Sequence, residues 1–245
     1  VAPRIVVTGI GATTPLGGDA PTSWQALLAG KVGIRAIPYD WAHMYELPVS
    51  IAGIVAQEPS ETLTRVETRR MDRSTQFAVV ATREAWADAG SPEVVPERLA
   101  VDYATGIGGV GTLLDAWDIL REKGARRVPP LTVPMLMGNA SAAHLSMEFH
   151  AQAGARTAMS ACASSVESLV DAYWHLRNGL ADVVIAGGTE ATVRPLPMAG
   201  FAALHALSKD NDSPETASRP LDASRDGFVL GEGAGTIVLE TLEHA

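Results

Sequence analysis

The sequence predicts an α/β protein whose strands and helices alternate in packed layers. Three observations carry this. Short β-branched or apolar runs recur at Arg4–Gly11, Leu99–Thr105, Asp182–Gly188 and Thr236–Glu240. Between them lie segments with apolar residues at helical spacing, at 72–89, 112–123 and 162–178. Gly90, Gly124 and Gly179 stand where these helices must stop. Alternation of this kind argues for helices covering a sheet.

Arg4–Gly11 (RIVVTGIG) reads as a buried strand and a tight turn. Thr22 and Gln25 form a capping-box pattern, and Gly30 closes the short helix between them. Residues 34–64 scatter Pro, Trp and Tyr without a period and read as loops, with a small strand at Val49–Ile54. Asp72–Ala89 carries Phe77, Val80, Ala81 and Glu84-Ala85 at helical spacing, with Asp72 or Ser74 as cap. Leu99–Thr105 reads as a strand entering the glycine-rich turn 106–111, and Thr112–Lys123 as a helix. Asn139 caps a helix to about His150, and Arg156–Ala161 is a short strand. Cys162–Asn178 is a helix with an apolar stripe of Val166, Leu169, Val170, Tyr173 and Leu176.

The chain has 245 residues, 47% hydrophobic and 19% charged, which is enough to bury a substantial core. Its formal charge of -9 argues against a general nucleic-acid binder, since phosphate contacts need surplus Lys and Arg. Cys162 is the single cysteine, so an intramolecular disulfide is impossible. No signal-peptide pattern is read, and no apolar run approaches the roughly 20 residues that span a bilayer. A cytoplasmic location is expected.

Gly106, Gly108 and Gly111 spell G-x-G-x-x-G between a strand and a helix, the context of a dinucleotide fingerprint. The rest of the unit is missing. The helix runs into Ala125-Arg126-Arg127-Val128-Pro129-Pro130, and no second strand with an acidic end follows to hold a ribose. The glycines read as a tight strand-to-helix crossover.

Cys162 follows a short strand and opens a long helix. A sulfur there faces unpaired backbone N–H groups and the positive end of the helix dipole, which favours thiolate by about 0.3–1 kcal/mol, up to ~2 when partly buried. The same N–H groups can hold an oxyanion formed at a thioester. Ser160, Ala161, Ala163, Ser164 and Ser165 leave room for a substrate. A lone cysteine is also a common buried core residue, and spacing alone leaves both readings open.

Six ordered segments go further. They are Val6–Gly11, Thr105–Gly109, Ser160–Ser165, Ala186–Glu190, Ser218–Asp222 and Arg225–Gly235. Together they resemble the β-ketoacyl-[acyl-carrier-protein] synthases of type II fatty acid synthesis, the synthase II branch above all. The resemblance covers essentially the whole chain. It implies a thiolase-like fold of two similar α/β halves stacked as five layers, with residues 1–245 as the first half. It implies that Cys162 accepts an acyl chain from acyl carrier protein and that malonyl-carrier protein is then decarboxylated and condensed onto it.

The resemblance also places two histidines and a lysine of the reaction in the second half, so the chain reads as a domain of a longer enzyme. His43, His144, His150, His175 and His205 do not match those histidine motifs and are expected on helix or loop surfaces. Ile107 is expected to line the acyl pocket, with Phe201 and Phe228 as its aromatics. Glu190 is expected to position backbone. Arg69, Arg70, Arg126 and Arg127 stand where the family carries basic residues toward the acidic carrier. No cofactor is expected, since phosphopantetheine arrives on the carrier protein, and a homodimer is the expected assembly. A ketosynthase subunit of type II polyketide assembly shares these motifs, and a non-catalytic scaffold is the alternative outside enzymology.

Overall fold

The structure, a computed structural model, describes residues 3–245. In chain order its elements are β1 (Ile5–Thr13), α1 (Ala20–Leu28), β2 (Ile34–Ala36), α2 (Trp41–Met44), β3 (Ile51–Gly53), α3 (Arg65–Thr68) and α4 (Arg73–Asp88). There follow β4 (Leu99–Ala104), α5 (Val110–Lys123), α6 (Thr132–Leu136), α7 (Ala140–Glu148) and β5 (Gly154–Arg156). The chain ends with α8 (Ser164–Arg177), β6 (Val183–Glu190), α9 (Pro195–Ala203), α10 (Pro214–Ala217) and β7 (Gly233–Thr241). No described helix is long and apolar enough to cross a membrane.

Five strands form one mixed sheet in the order β1-β7-β6-β4-β5. β4 runs parallel to both β5 and β6, and β7 runs antiparallel to β6 and β1. Strand side chains alternate between faces, so β4 sends Leu99, Val101 and Tyr103 to one side and Ala100 and Asp102 to the other. The first set packs with Val183, Ile185 and Val238 against Ala78, Val79 and Ala85 of α4 and Leu145 of α7. The second side, with Val184, Ala186 and Leu239, packs against Ala172 and Leu176 of α8. The sheet is therefore covered on both faces, as the alternation of elements implies.

A second core lies beside the sheet. There β2 and β3 pair antiparallel, and Ile51, Ile54, Val193, Met198, Leu207 and Leu230 pack together. Gly53 joins it to the main chain of the glycine-rich segment, its N–H donating to Leu230 O and its carbonyl accepting from Glu232 N.

Several local signals act differently from the sequence expectation. Asp19, not Thr22, caps α1: its Oδ1 accepts from Thr22 N at 2.6 Å, and the helix opens at the Ala20-Pro21 step. β2 lies in a region read as loop; three residues are too few to show a period. Asn139 precedes α7 but makes no side-chain cap, and its own carbonyl bonds Ala143 N. The strand expected at Arg156–Ala161 ends at Arg156, because β5 pairs only over Gly154–Arg156. The apolar stripe of α8 divides. Leu176 is buried and Leu169 half-buried, whereas Val166, at 62% exposure, Val170 and Tyr173 face outward. His175, expected on the surface, is buried on the sheet-facing side. The β-branched and aromatic residues thus point away from the sheet, and small residues face it.

β1 meets α4 at van der Waals limits. A Cβ on Gly11 would stand 2.0 Å from Ala81 O and 2.6 Å from Ala85 N, and one on Gly9 would stand 2.0 Å from Ala85 O. All three obstacles are backbone atoms, so neither position can take a side chain without separating strand from helix. Gly11→Ala is expected to cost about 3 kcal/mol of folding stability, read from the urea midpoint. Gly200→Ala on α9, where a Cβ meets nothing within 4 Å, leaves the midpoint unchanged or raises it.

Candidate active site

Cys162 lies in a 3₁₀ turn, Ala161–Ala163, that runs directly into α8. It is exposed. The residue before it, Ala161, has φ 53, in the left-handed region that L-residues other than Gly, Asn and Asp seldom occupy. Ser164 holds this turn. Its Oγ accepts from Ser160 N at 2.8 Å and donates to Ala161 O at 2.6 Å, closing a loop around Cys162. Ser164 is buried, and the sequence reading took it only as a small residue leaving space.

The glycine-rich turn after β4 abuts the same place. Glu190 Oε2 accepts from Gly106 N at 2.8 Å, and Oε1 accepts from the Thr105 hydroxyl at 3.3 Å. A Cβ on Gly106 would lie 2.8 Å from Glu190 Oε2 and 3.5 Å from Ala161 O, so the turn and the Cys162 segment are in contact. Burial pushes the Glu190 carboxyl above the ordinary carboxylate range, opposed by the N–H of Gly106, the Thr105 hydroxyl and the N–H groups of Ile107 and Ala191. Glu190 therefore organises the backbone of the Thr105–Ile107 turn and ties it to the end of β6. Gly108, at φ 84, lets the turn reverse against Gly138 and Leu136. Gly138 in turn lies under Met159, whose sulfur would be 2.5 Å from a Cβ there.

Ile107 follows Gly106 on this rim and is 47% exposed. Phe201 and Phe228 come together edge to face, with centroids 5.5 Å apart, and Phe228 is 44% exposed. The Phe228 segment is fixed by reciprocal bonds, Ser208 N to Phe228 O and Phe228 N to Ala206 O, both at 2.9 Å. The arginines fall at two separate places. Arg69 and Arg70 follow α3, and Arg126 and Arg127 lie in the 3₁₀ turn after α5. All four side chains are exposed, and none is in an ion pair among the described residues. No group of three or more His, Cys, Asp and Glu among the described residues could hold a metal ion.

Residues 2–245 match the family model described as β-ketoacyl synthase, N-terminal domain. A protein of Mycobacterium tuberculosis (strain ATCC 25618 / H37Rv) named 3-oxoacyl-[acyl-carrier-protein] synthase 2 is 43% identical over 244 residues, 99% of this chain and 58% of the relative. A Staphylococcus aureus (strain COL) protein of the same name is 42% identical over 245 residues, with the same coverages. Among solved structures, a β-ketoacyl synthase from Burkholderia phymatum STM815 superimposes with a TM-score of 0.85 at 34% identity, over 99% of this chain and 60% of that one. A type II polyketide ketosynthase, solved with its acyl-carrier protein and bound to the hexaketide, gives 0.87 at 28% identity over 100% of this chain and 60% of that one. The chain thus spans about three fifths of the length of the proteins it matches. With residues 2–245 matched by that family model and relatives 43% identical over 99% of its length, the chain belongs to the β-ketoacyl synthase family, over the part that family calls its N-terminal domain.

Proposed function

We propose that this chain is the nucleophile-bearing half of a 3-oxoacyl-[acyl-carrier-protein] synthase of fatty acid elongation. The observation that carries the reading is Cys162, exposed at the head of α8 behind a left-handed Ala161 and clasped by Ser164. Its thiolate attacks the carbonyl of an acyl thioester delivered on acyl carrier protein. The bond to the phosphopantetheine sulfur breaks, that thiol leaves with a proton, and the acyl group remains on Cys162. Malonyl-carrier protein then loses CO2, and the electron pair of the broken C–C bond attacks the acyl carbonyl. The Cys162 thiolate departs, and β-ketoacyl-carrier protein is released. N–H groups at a helix start lack intrahelical acceptors, so they suit the oxyanion of both tetrahedral stages.

Ile107, Phe201 and Phe228 line the acyl path in this reading, and the histidines of the condensation come from the second half. The outward face of α8, with Val166, Val170, Tyr173 and Trp174 exposed, is the surface on which that half stacks. The protein needs no cofactor of its own, acts in the cytoplasm and pairs as a homodimer. Fatty acid elongation is favoured over polyketide assembly because the relatives named 3-oxoacyl-[acyl-carrier-protein] synthase 2 are 43% identical, whereas the type II polyketide ketosynthase is 28% identical.

The decisive test is intact mass of the full-length protein after incubation with a long-chain acyl-carrier protein. One acyl adduct is expected, lost in Cys162→Ala together with at least about 10³-fold of condensation rate. A folded full-length protein that takes no adduct removes the reading and leaves a scaffold role. Arg69, Arg70, Arg126 and Arg127 present positive charge to the acidic carrier. Reversing Arg126 and Arg127 to Glu is expected to raise KM for acyl-carrier protein about tenfold, with kcat nearly unchanged, in steady-state assays. The difference should shrink at high salt, because exposed charges are screened beyond about 10 Å at 0.1 M.

A further inference from the structure

Two buried titratable side chains take no part in the chemistry above. His175 Nδ1 lies 2.6 Å from Asp102 Oδ2, and the side chains are 2% and 1% exposed. Asp102 stands at the middle of β4, and His175 near the end of α8. They lie between the same sheet face and helix that bury Ala100, Ala172, Leu176 and Val184. Asp102 Oδ1 and His175 Nε2 are buried without a hydrogen-bond partner.

Such a site is sensitive to its proton count. With two protons the pair is net neutral, either carboxylate with imidazolium or carboxylic acid with imidazole. With one proton fewer it carries a buried negative charge, which apolar surroundings penalise heavily. The charged groups acting on Asp102 besides His175 are Arg156, its register partner on β5, and Asp171 on α8. Burial pushes the Asp102 carboxyl up; His175 and Arg156 oppose this and Asp171 adds to it.

The position of the pair gives this chemistry a mechanical consequence. α8 has two polar ties to the sheet. Ser168 Oγ donates to Gly187 O at 2.7 Å on β6, and His175 meets Asp102 on β4. At 1.5 Å per residue the ties are about 10 Å apart along the helix, and Cys162 lies about 20 Å from His175. The opposite face of the helix is the one proposed above to meet the second half, so these ties and the small residues beneath govern how its inner side sits on β4 and β6.

We propose that Asp102 and His175 are positioning residues, a buried proton-sharing clamp that seats α8 on β4 and with it Cys162, and that loosens when the pair loses a proton. The inference rests on this geometry and not on the acyl transfer assigned to Cys162. Because the Asp102 carboxyl is raised in the folded protein, its stabilising contribution is fully present below the ordinary carboxylate value. It is lost as pH rises through the raised value.

Asp102→Asn keeps an acceptor for Nδ1–H and cannot take the charge. In the full-length protein, urea stability and the rate of Cys162 alkylation by iodoacetamide, mapped by peptide mass, are followed from about pH 4, the ordinary carboxylate value, up to about pH 9. The ratio of wild-type to variant folding constants is expected to fall with rising pH, by up to about tenfold per pH unit for one proton, and then level. The wild-type alkylation profile is expected to carry a step at that same pH, absent from Asp102→Asn. The double variant Asp102→Val/His175→Leu, which removes both polar groups together, should lose the step as well. Parallel stability profiles for wild type and Asp102→Asn overturn the clamp. A stability difference with no matching step at Cys162 overturns its positioning role.

Discussion

The seating of α8 on the sheet is the constraint from which the placement of Cys162 follows. The sheet offers this helix Ala100, Asp102, Val184, Ala186 and Gly188, and the helix answers with Ser164, Ser168, Ala172, His175 and Leu176. Contact is tight at the cysteine end, where a Cβ on Gly188 would stand 2.7 Å from that of Ser165. Small residues on both sides let the helix axis approach, and the approach lets Ser168 reach Gly187 O directly. A larger residue at Gly188 would lift the first turn, and Cys162 with it. The Ser165 Cβ occupies space that Gly188 leaves open.

The same economy governs the sheet edge. β1 is an edge strand, and unpaired edge N–H groups invite pairing with another chain. Here carboxylates from α4 occupy them. Asp88 accepts from Ile10 N at 2.9 Å and Glu84 from Ala12 N at 2.8 Å, while the second Glu84 oxygen takes Ala20 N at the start of α1. The close approach at Gly9 and Gly11 brings α4 near enough for these side chains to reach. Part of the acidic excess of the chain is thus engaged in closing backbone bonds.

Legibility in the sequence tracked how local the determinants are. The helix over Asp72–Ala89 carries its period, its stop at Gly90 and its cap within one segment, and Asp72 does accept from Ser74 N. The cap of α1 failed because Asp19 and Thr22 both suit the role, and only the backbone decides which side chain meets a free N–H. The stripe on α8 shows what a period can convey. It identified a helix correctly but not the face that lies on the sheet, because close packing selected serine and alanine over valine and tyrosine. His175 was misplaced for a related reason, since its partner is 73 residues away on β4. The position of Cys162 just ahead of a long helix was legible from the period that follows it, but the strand expected to lead into it stops at Arg156. The clasp made by Ser164 and the grip of Glu190 on Gly106 depend on contacts the linear pattern does not display.

The left-handed Ala161 ties these themes together. A non-glycine residue at φ 53 costs roughly 1–2 kcal/mol and persists only where its neighbours over-determine it. Three constraints do so here. Ser164 bonds both sides of the residue, through Ser160 N and Ala161 O. The turn at Gly106, held by Glu190, stands against the Ala161 carbonyl. The helix that follows is fixed to β6 by Ser168. Glycine would adopt this conformation without strain, but it would also populate others and surrender the fixed direction of the next Cα–Cβ bond. Alanine with a clasp confines the turn to one conformation at modest cost, so the Cys162 sulfur leaves the main chain along a direction set by the sheet beneath it.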